Sequence, residues 1–204
     1  MAAGSVIPLF PLHTVLFPGG PLPLRIFETR YVDMIGRCMR ESSPFGVVLI
    51  EAGEEAGEVA STATVGCTAR VADFDRLPDG LLGISCVGER KFLVRRVWRA
   101  PDGLNMAEVE WLEPEPQQAL PQECARLAAT VRRALGELAD VYRHVPVDYD
   151  DAAWVGSRLA ELLPITVVDK QALLEMQDPL ARLDALLAVV AEGSEESGES
   201  EESD

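Results

Sequence analysis

The sequence is poor in the residues from which phosphate, metal and redox sites are built. Of its 204 residues only two are lysines, Lys91 and Lys170. Neither follows the glycine of a G-x-x-x-x-G-K-[ST] phosphate-binding loop, so ATP hydrolysis by that route is excluded. The cysteines are far apart and form no C-x-x-C pair, which gives zinc or redox chemistry little support. We therefore expect no metal and no cofactor.

Other absences point to a cytoplasmic protein. No stretch approaches the roughly 20 apolar residues of a membrane-spanning helix. The N-terminus "MAAGSVIPLFPL" has no positive flank, and prolines interrupt its apolar run, so a secretory signal is not expected. We interpret the cysteines as reduced, mostly buried thiols, with scattered disulfides as the alternative. They are Cys38, Cys67, Cys86 and Cys124.

Positive charge is scarce as well. The formal net charge is −16, and the segment from Glu192 to Asp204 contains seven acidic side chains and no apolar one. We predict that this acidic tail is solvated and disordered. Removing its seven charges from the total leaves −9 for the rest of the chain. That balance argues against nucleic acids and anionic membrane surfaces as partners, because binding to either depends on lysine and arginine.

The first half of the chain has the pattern of short strands. "VIPLF" and "HTVLF" are apolar runs, "PGGP" is a turn, and Leu22, Leu24 and Ile26 alternate with other residues as in a half-buried strand. Asp79-Gly80 lies between two apolar runs and predicts a hairpin. Prolines within the runs favour sheet edges or bulges. We count six or seven strands of a small, mostly antiparallel barrel.

One amphipathic helix interrupts this β pattern. Its apolar positions recur at the spacing of one helix face. They are Tyr31, Met34, Ile35, Cys38 and Met39. Glu28 stands where the helix should begin, and a carboxylate there suits the positive end of the helix dipole.

The second half of the chain has the pattern of helices. A proline-rich connector precedes a helix from about Gln122 to Arg143, and Asp150 or Asp151 can cap a second helix. A short third helix follows, and Asp178-Pro179 opens a fourth. We predict a barrel, a connector, a helical bundle and the acidic tail, over residues 1–113, 114–121, 122–191 and 192–204.

Catalytic motifs are weak. Ser85 in "GISCVG" has the spacing of a nucleophile elbow, but Val87 replaces the second glycine and the context is a strand. His13 and His144 are interpreted as surface or capping residues rather than general bases. The aspartates of "ADFDRLPDG" match a calcium loop only loosely and fit a hairpin turn better. We therefore assign no catalytic residue and favour a binding module.

The segment "IPLFPLHTVLFPGGPLPLRIFETRYVDMI" resembles the start of the Lon protease N-terminal domain, the substrate-recognition module of that ATP-dependent protease. "VGERKFLV" and "LPITVVDKQALLEMQDPLARLDAL" are similar to later parts of the same family, so the resemblance covers about Val6 to Val190. The matching positions of the opening segment are Pro8, Leu9, Pro11, Leu12, Phe17, Pro18, Gly19, Pro23, Leu24, Ile26, Phe27, Glu28 and Tyr31.

The resemblance implies an α+β fold, with a PUA-like β-barrel, one inserted helix and a C-terminal helical bundle. Full proteases of the family continue into an ATPase and a Ser-Lys protease domain. The sequence contains neither, so it resembles the stand-alone bacterial proteins of the family, and protease activity is not inherited from the family name.

The resemblance also implies a function. We expect a non-enzymatic protein that binds unfolded or degron-like polypeptide segments through an apolar groove on the barrel or at its junction with the bundle. A separate protease or chaperone is a further expected partner. The alternatives are an RNA-binding PUA-like module, given the arginines at 90, 95, 96 and 99, and a hydrolase with an unrecognised site.

Five residues of the opening segment are the candidates for substrate binding. Phe17, Phe27 and Tyr31 could line the groove, although periodic apolar residues more often form a core. Glu28 and Arg30 could form part of a site, although helix capping and a surface ion pair explain them more simply.

Overall fold

The computed structural model describes residues 4–53, 55 and 59–199 and shows a mixed sheet followed by helices. Residues of the predicted tail beyond Glu199 lie outside this part. The strands are β1 (Ser5–Leu12), β2 (Pro21–Ile26), β3 (Phe45–Gly53), β4 (Val59–Thr62), β5 (Val65–Arg76), β6 (Leu82–Arg99) and β7 (Asn105–Trp111). The helices are α1 (Thr29–Glu41), α2 (Ala125–Glu137), α3 (Ala139–Tyr142), α4 (Ala152–Leu162), α5 (Val167–Glu175) and α6 (Pro179–Glu199), with a 3-10 turn at Gln122–Cys124.

Five strands pair in a closed ring. The order is β1-β7-β6-β5-β3, and β1 also pairs with β3. The β1–β3 pair is parallel and the others are antiparallel. Strand β1 pairs with β7 before Leu9 and with β3 after it, so Pro8 and Pro11 each lie where β1 has a neighbour on one side only. A residue without an N–H is tolerated there because no second strand needs its donor.

The long strand β6 has a gap in its pairing, and this gap determines where the cleft described below forms. One edge of β6 pairs with β5 along much of its length. The opposite edge pairs with β2 as far as Val87 and with β7 from Phe92 onward. Residues 88–91 therefore have neither β2 nor β7 beside them.

Helix α1 packs on the sheet as its periodicity predicts. Tyr31, Met34, Ile35 and Cys38 are buried in a cluster that includes Phe10 and Phe45. Met39, the fifth predicted position, is 39% exposed. All four cysteines are buried free thiols.

The C-terminal helices pack around a second cluster. It contains Leu127 and Val131 of α2, Val155 and Leu159 of α4, and Leu183 of α6, among others. Asp151 rather than Asp150 caps α4, because its Oδ1 accepts a hydrogen bond from the Trp154 N–H at 2.7 Å. No helix among the described residues is long and apolar enough to cross a membrane.

Three sequence predictions differ from the structure. "HTVLF" forms no strand, because residues 13–20 leave the sheet and turn toward the helices. The helix predicted from Gln122 to Arg143 is broken at Leu138, two residues after Gly136, a poor helix former. Helix α6 continues to Glu199, through part of the segment predicted to be disordered, since extending a helix is easier than nucleating one.

The Pro18–Gly20 turn, which belongs to the most distinctive motif of the sequence, is fixed by backbone hydrogen bonds to β6. The Gly19 N–H donates to the Gly88 carbonyl at 2.7 Å, and the Gly88 N–H donates to the Gly20 carbonyl at 2.8 Å. A Cβ at Gly88 would lie 2.2 Å from the carbonyl oxygen of Phe17. Only glycine lets the two backbones approach this closely.

We predict that Gly88→Ala destabilises the fold by about 1–3 kcal/mol, because the added methyl group must displace backbone rather than a flexible side chain. Gly136→Ala in α2 is the matched control. Its Cβ would meet nothing within 4 Å, so alanine should leave stability unchanged or raise it by up to about 1 kcal/mol. Urea unfolding followed by circular dichroism measures both, and equal effects at the two sites would contradict the prediction.

Candidate functional site

The structure brings together three of the five residues selected from the sequence, since Arg30 pairs with Glu28 and lies over the Tyr31 ring at 4.7 Å. Phe17 and Tyr31 are buried, in different hydrophobic clusters, as the core interpretation expects. Phe27 is 62% exposed. Glu28 and Arg30 form an ion pair of 2.8 Å, and Arg30 Nη1 donates to the Gly103 carbonyl at 3.1 Å. This pair therefore connects the start of α1 to the β6–β7 turn. It is more buried than a surface ion pair.

A cleft of about 480 Å³ lies beside residues 89–91 of β6, between the sheet and the helices. We call it the junction cleft. It is lined by Pro18, Gly19 and residues 89–91, by residues 112–115, which follow β7, and by Ala153, Trp154 and Ser157 on α4. We call its apolar lining residues the cleft wall, and the buried side chains of Lys91 and Glu115 its floor. The cleft lies where β6 pairs with neither β2 nor β7.

Trp154 is the largest apolar group in the cleft wall, and its ring is fixed. The indole N–H donates to the Pro146 carbonyl at 2.9 Å. Tyr149 packs edge-on against the indole, with ring centroids 5.0 Å apart. Pro18, Leu112, Pro114 and Ala153 supply further apolar surface. A rigid apolar wall of this kind can receive an apolar side chain without first being ordered.

The floor of the cleft contains a buried network of charges. Lys91 Nζ lies 2.7 Å from Glu115 Oε1, and Arg182 binds both oxygens of the same carboxylate. The side chains of Lys91, Glu115 and Arg182 are 3%, 9% and 0% exposed. Isolated buried charges are very costly, but here each has partners of opposite sign.

Backbone carbonyls satisfy the remaining donors of the network. Lys91 Nζ donates to the carbonyls of Leu174 and Met176, at 2.9 and 2.8 Å. Arg182 donates to the carbonyls of Leu173 and Met176. These carbonyls lie at the C-terminal end of α5, where the helix dipole is negative, and they offset the excess of two cations over one carboxylate.

The network keeps Glu115 ionised. Burial alone raises the pKa of the Glu115 carboxyl, but hydrogen bonds and charge from Arg182 and Lys91 outweigh it, and the pKa is lowered from its ordinary value. Burial lowers the pKa of the Lys91 ammonium, and Glu115 opposes that shift. Lys91 donates all three of its protons, so it is not available as a general base.

A second buried ion pair supports the Pro18–Gly20 turn. Arg158 is 0% exposed, and its guanidinium donates to both oxygens of Glu161 and to the Pro18 carbonyl at 3.0 Å. The pKa of the Glu161 carboxyl is raised from its ordinary value, because burial outweighs the opposing effect of Arg158. A Cβ on Gly20 would lie 2.0 Å from Glu161 Oε1. The glycines of the turn therefore let it lie directly on the ion pair.

The hydrolase alternative finds no assembled triad among the described residues. Ser85 lies opposite Asp73 in the β5–β6 ladder, and His144 Nε2 is 3.5 Å from Asp73 Oδ2. That nitrogen already accepts a hydrogen bond from Arg143 at 2.9 Å, and no hydrogen bond joins Ser85 to His144 within the described part. Burial raises the pKa of the Cys67 and Cys86 thiols to about 12, so neither is an activated nucleophile.

The arginines of β6 do not form a free basic stripe. Arg90 donates to the Leu112 carbonyl and lies over the Trp111 ring at 5.1 Å. Arg95 is paired with Glu110, Arg96 lies over the Trp98 ring at 5.8 Å, and Arg99 donates to the Gly103 carbonyl. Nucleic-acid binding depends on cations that replace the counterions of phosphate, and each of these arginines already has a contact within the chain.

The sequence analysis missed two features of the cleft, namely the buried charged residues of its floor and the Trp154 side chain in its wall. Helical spacing carried a usable signal, because Arg182 lies four residues before the buried Leu186 and Arg158 lies three residues after the buried Val155, which places each arginine on an apolar face. A charged residue at such a position indicates a buried ion pair. No local pattern could show that Glu115 is the partner of Arg182, which is 67 residues away.

Comparison with known proteins gives a consistent family and fold. A family model described as the ATP-dependent protease La (LON) substrate-binding domain matches residues 6–192. The crystal structure of a Lon N-terminal domain protein from Xanthomonas campestris is 41% identical, covers 90% of this chain and 98% of its own, and has a TM-score of 0.74. The N-terminal domain of Mycobacterium avium complex Lon protease is 19% identical, covers 90% of this chain and 97% of its own, and has a TM-score of 0.61, which shows the fold alone.

Curated relatives are longer proteins. "Lon protease 2" of Myxococcus xanthus is 26% identical over 195 residues, which are 91% of this chain and 23% of that protein. "Lon protease" of Escherichia coli strain K12 is 24% identical over 196 residues, which are 90% of this chain and 24% of that protein. The chain thus spans about a quarter of the length of these relatives.

We predict that Glu115→Gln destabilises the protein at pH 7 by about 3 kcal/mol, because it leaves two buried cations without their carboxylate. The folded-state pKa of Glu115 is lowered from its ordinary value of 4.5. The ionised carboxylate therefore contributes fully to the stability of the fold above pH 4.5, and this contribution is lost as the pH falls through the lowered pKa. Urea unfolding should therefore show that the difference in free energy of unfolding between wild type and Glu115→Gln becomes smaller between pH 5 and pH 3.

Glu110→Gln is the control for this prediction. It removes an equal charge from an exposed pair with Arg95, and it should change stability by at most about 1 kcal/mol. A Glu115→Gln gap that stays constant over the acidic range would show that the carboxylate's charge does not hold the junction.

Proposed function

The chain belongs to the LON substrate-binding domain family, and from this premise we propose that it binds polypeptide segments and takes their exposed apolar side chains into the junction cleft. Its partners would be unfolded or degron-like chains. A separate protease or chaperone that receives them, and a cytoplasmic location, remain part of this proposal. The closed ring of strands is interpreted as the PUA-like barrel of the family.

The observation that supports this proposal is the contrast between the wall and the floor of the cleft. The wall is apolar and includes the fixed indole of Trp154. The floor contains buried charges whose donors are already bound within the chain. A polar ligand group would have to displace one of these bonds, whereas an apolar group has only to leave water.

The size of the cleft suits side chains rather than a folded partner. A volume of about 480 Å³ falls within the range of roughly 300–1,000 Å³ that is usual for ligand pockets. Burying a large apolar side chain contributes about 1.5–3 kcal/mol, and ordering the peptide opposes it. A segment bound by this cleft alone should therefore be held weakly and released readily.

Binding without bond cleavage fits the groups in the cleft. The Ser157 hydroxyl is the nearest to a nucleophile, but its oxygen accepts from Arg182 at 3.4 Å. Lys91, the nearest amine, is fully engaged as a donor. A nucleophile needs a base within hydrogen-bond reach, and this pair supplies none.

We predict that Trp154→Ala weakens binding of a capped, uncharged 12-residue peptide with a Leu-Phe centre by about tenfold or more, because a fixed aromatic wall is lost. Ala153→Phe should weaken it similarly by filling the cleft. Trp98→Ala is the control, since Trp98 is also a half-buried tryptophan but does not line the cleft. Titration calorimetry gives the affinities, and circular dichroism verifies that each variant is folded.

Intrinsic fluorescence provides a second readout. Of the three tryptophans, Trp154 alone lines the cleft. Peptide binding should therefore change the tryptophan fluorescence of the Trp98→Ala variant and leave that of the Trp154→Ala variant unchanged. Equal binding by wild type, Trp154→Ala and Ala153→Phe would rule out the junction cleft as the peptide site.

A further inference from the structure

The charged residues that line the junction cleft differ in whether the chain itself provides a partner. Glu89 is paired with Arg70 at 2.8 Å. Lys91 and Glu115 are bound to each other and, through Glu115, to Arg182. Arg70 and Arg182 do not line the cleft themselves, but they provide partners for Glu89 and Glu115. The α5 carbonyls described above accept hydrogen bonds from both Lys91 and Arg182.

Two charges at the rim remain, and they are not equivalent. Arg90 is held by the Leu112 carbonyl and by the face of the Trp111 ring. Glu113 is exposed, lines the cleft and makes no ion pair or side-chain hydrogen bond within the described part of the chain. The carboxylate of Glu113 is thus the charge at the rim that can turn toward a ligand without breaking another contact.

The net charge of the chain has the same sign as Glu113. Without the segment from Glu192 to Asp204 the chain still has a formal charge of −9, from a total of −16. A protein with this excess of carboxylates raises the local concentration of cationic segments and disfavours anionic ones, most strongly at low ionic strength.

From these observations we propose that the polypeptides bound in the junction cleft carry lysine or arginine beside the apolar side chain, and that Glu113 pairs with this cation at the rim. The inference rests on the proposed function and specifies its substrate class. The apolar side chain supplies the burial, and the adjacent cation supplies selectivity, since paired charges across an interface affect specificity and encounter more than affinity.

The test uses three capped 12-residue peptides that share a Leu-Phe centre and differ only in their flanks, which are two lysines, two glutamines or two glutamates. Titration calorimetry with the 204-residue protein should give the highest affinity for the lysine peptide and the lowest for the glutamate peptide. We expect about a tenfold difference between these two in 20 mM salt, and a smaller one in 300 mM salt because the charges are screened.

Two variants separate the local from the overall charge. Glu113→Gln should weaken the lysine peptide by about threefold and leave the glutamine peptide unchanged. Glu137→Gln removes an equal charge from an exposed residue of α2 that does not line the cleft, and it should change neither. Neither glutamate makes a contact on which the fold depends, so both variants should fold.

The outcomes distinguish the two proposals. If the glutamine peptide binds and all three peptides have equal affinity, the preference for basic segments is overturned, while the proposal that the cleft binds apolar side chains is retained. The same conclusion follows if Glu137→Gln weakens the lysine peptide as much as Glu113→Gln does. If the lysine peptide binds and Trp154→Ala does not weaken it, the contact is purely electrostatic and both proposals fail. Absence of binding by all three peptides also overturns both.

Discussion

The buried carboxylate of Glu115 holds together parts of the chain that local interactions cannot join. It lies in the extended segment after the last strand, and it binds Lys91 of the sheet and Arg182 of the last helix at the same time. The same two cations are hydrogen-bonded to the end of α5. Each of these charges would be prohibitively costly if buried alone, so the sheet, the segment after it and two helices have to adopt one relative position.

The junction cleft is a consequence of that constraint. The network fixes the floor, and the Arg158–Glu161 pair fixes the Pro18–Gly20 turn that forms part of the cleft wall. Both ion pairs are buried, and helix α4 contributes Arg158 and Glu161 to one of them and Trp154 to the cleft wall. The cleft is therefore held by polar groups that face inward, while much of its own lining is apolar. Because the polar groups are bound to one another behind the surface, the cleft can be rigid while much of its lining is apolar.

The charge of the chain has a different role from the charges inside it. The internal ion pairs set the geometry, whereas the surface carboxylates are exposed, screened by salt and individually worth little to stability. Under the proposals above, their excess influences which polypeptide segments approach the cleft. The five residues that the opening motif suggested have different positions in the fold. Phe17 and Tyr31 fill two cores, and Arg30 fastens the start of α1 to the β6–β7 turn, which leaves Phe27 as the exposed member.

The sequence by itself determined the order of strands before helices, the amphipathic face of α1, the Asp79-Gly80 turn and the start of α6 at Pro179, because each depends on neighbours within a few residues. It also indicated the family, through the resemblance of its opening segment, and the family model over residues 6–192 confirms this. Only the tertiary structure decided that "HTVLF" leaves the sheet, that β1 changes partners at Leu9 and that a cleft forms beside residues 89–91. The partners of Lys91, Glu115 and Arg182 are separated by tens of residues, and no local pattern records which distant carboxylate will meet which buried cation.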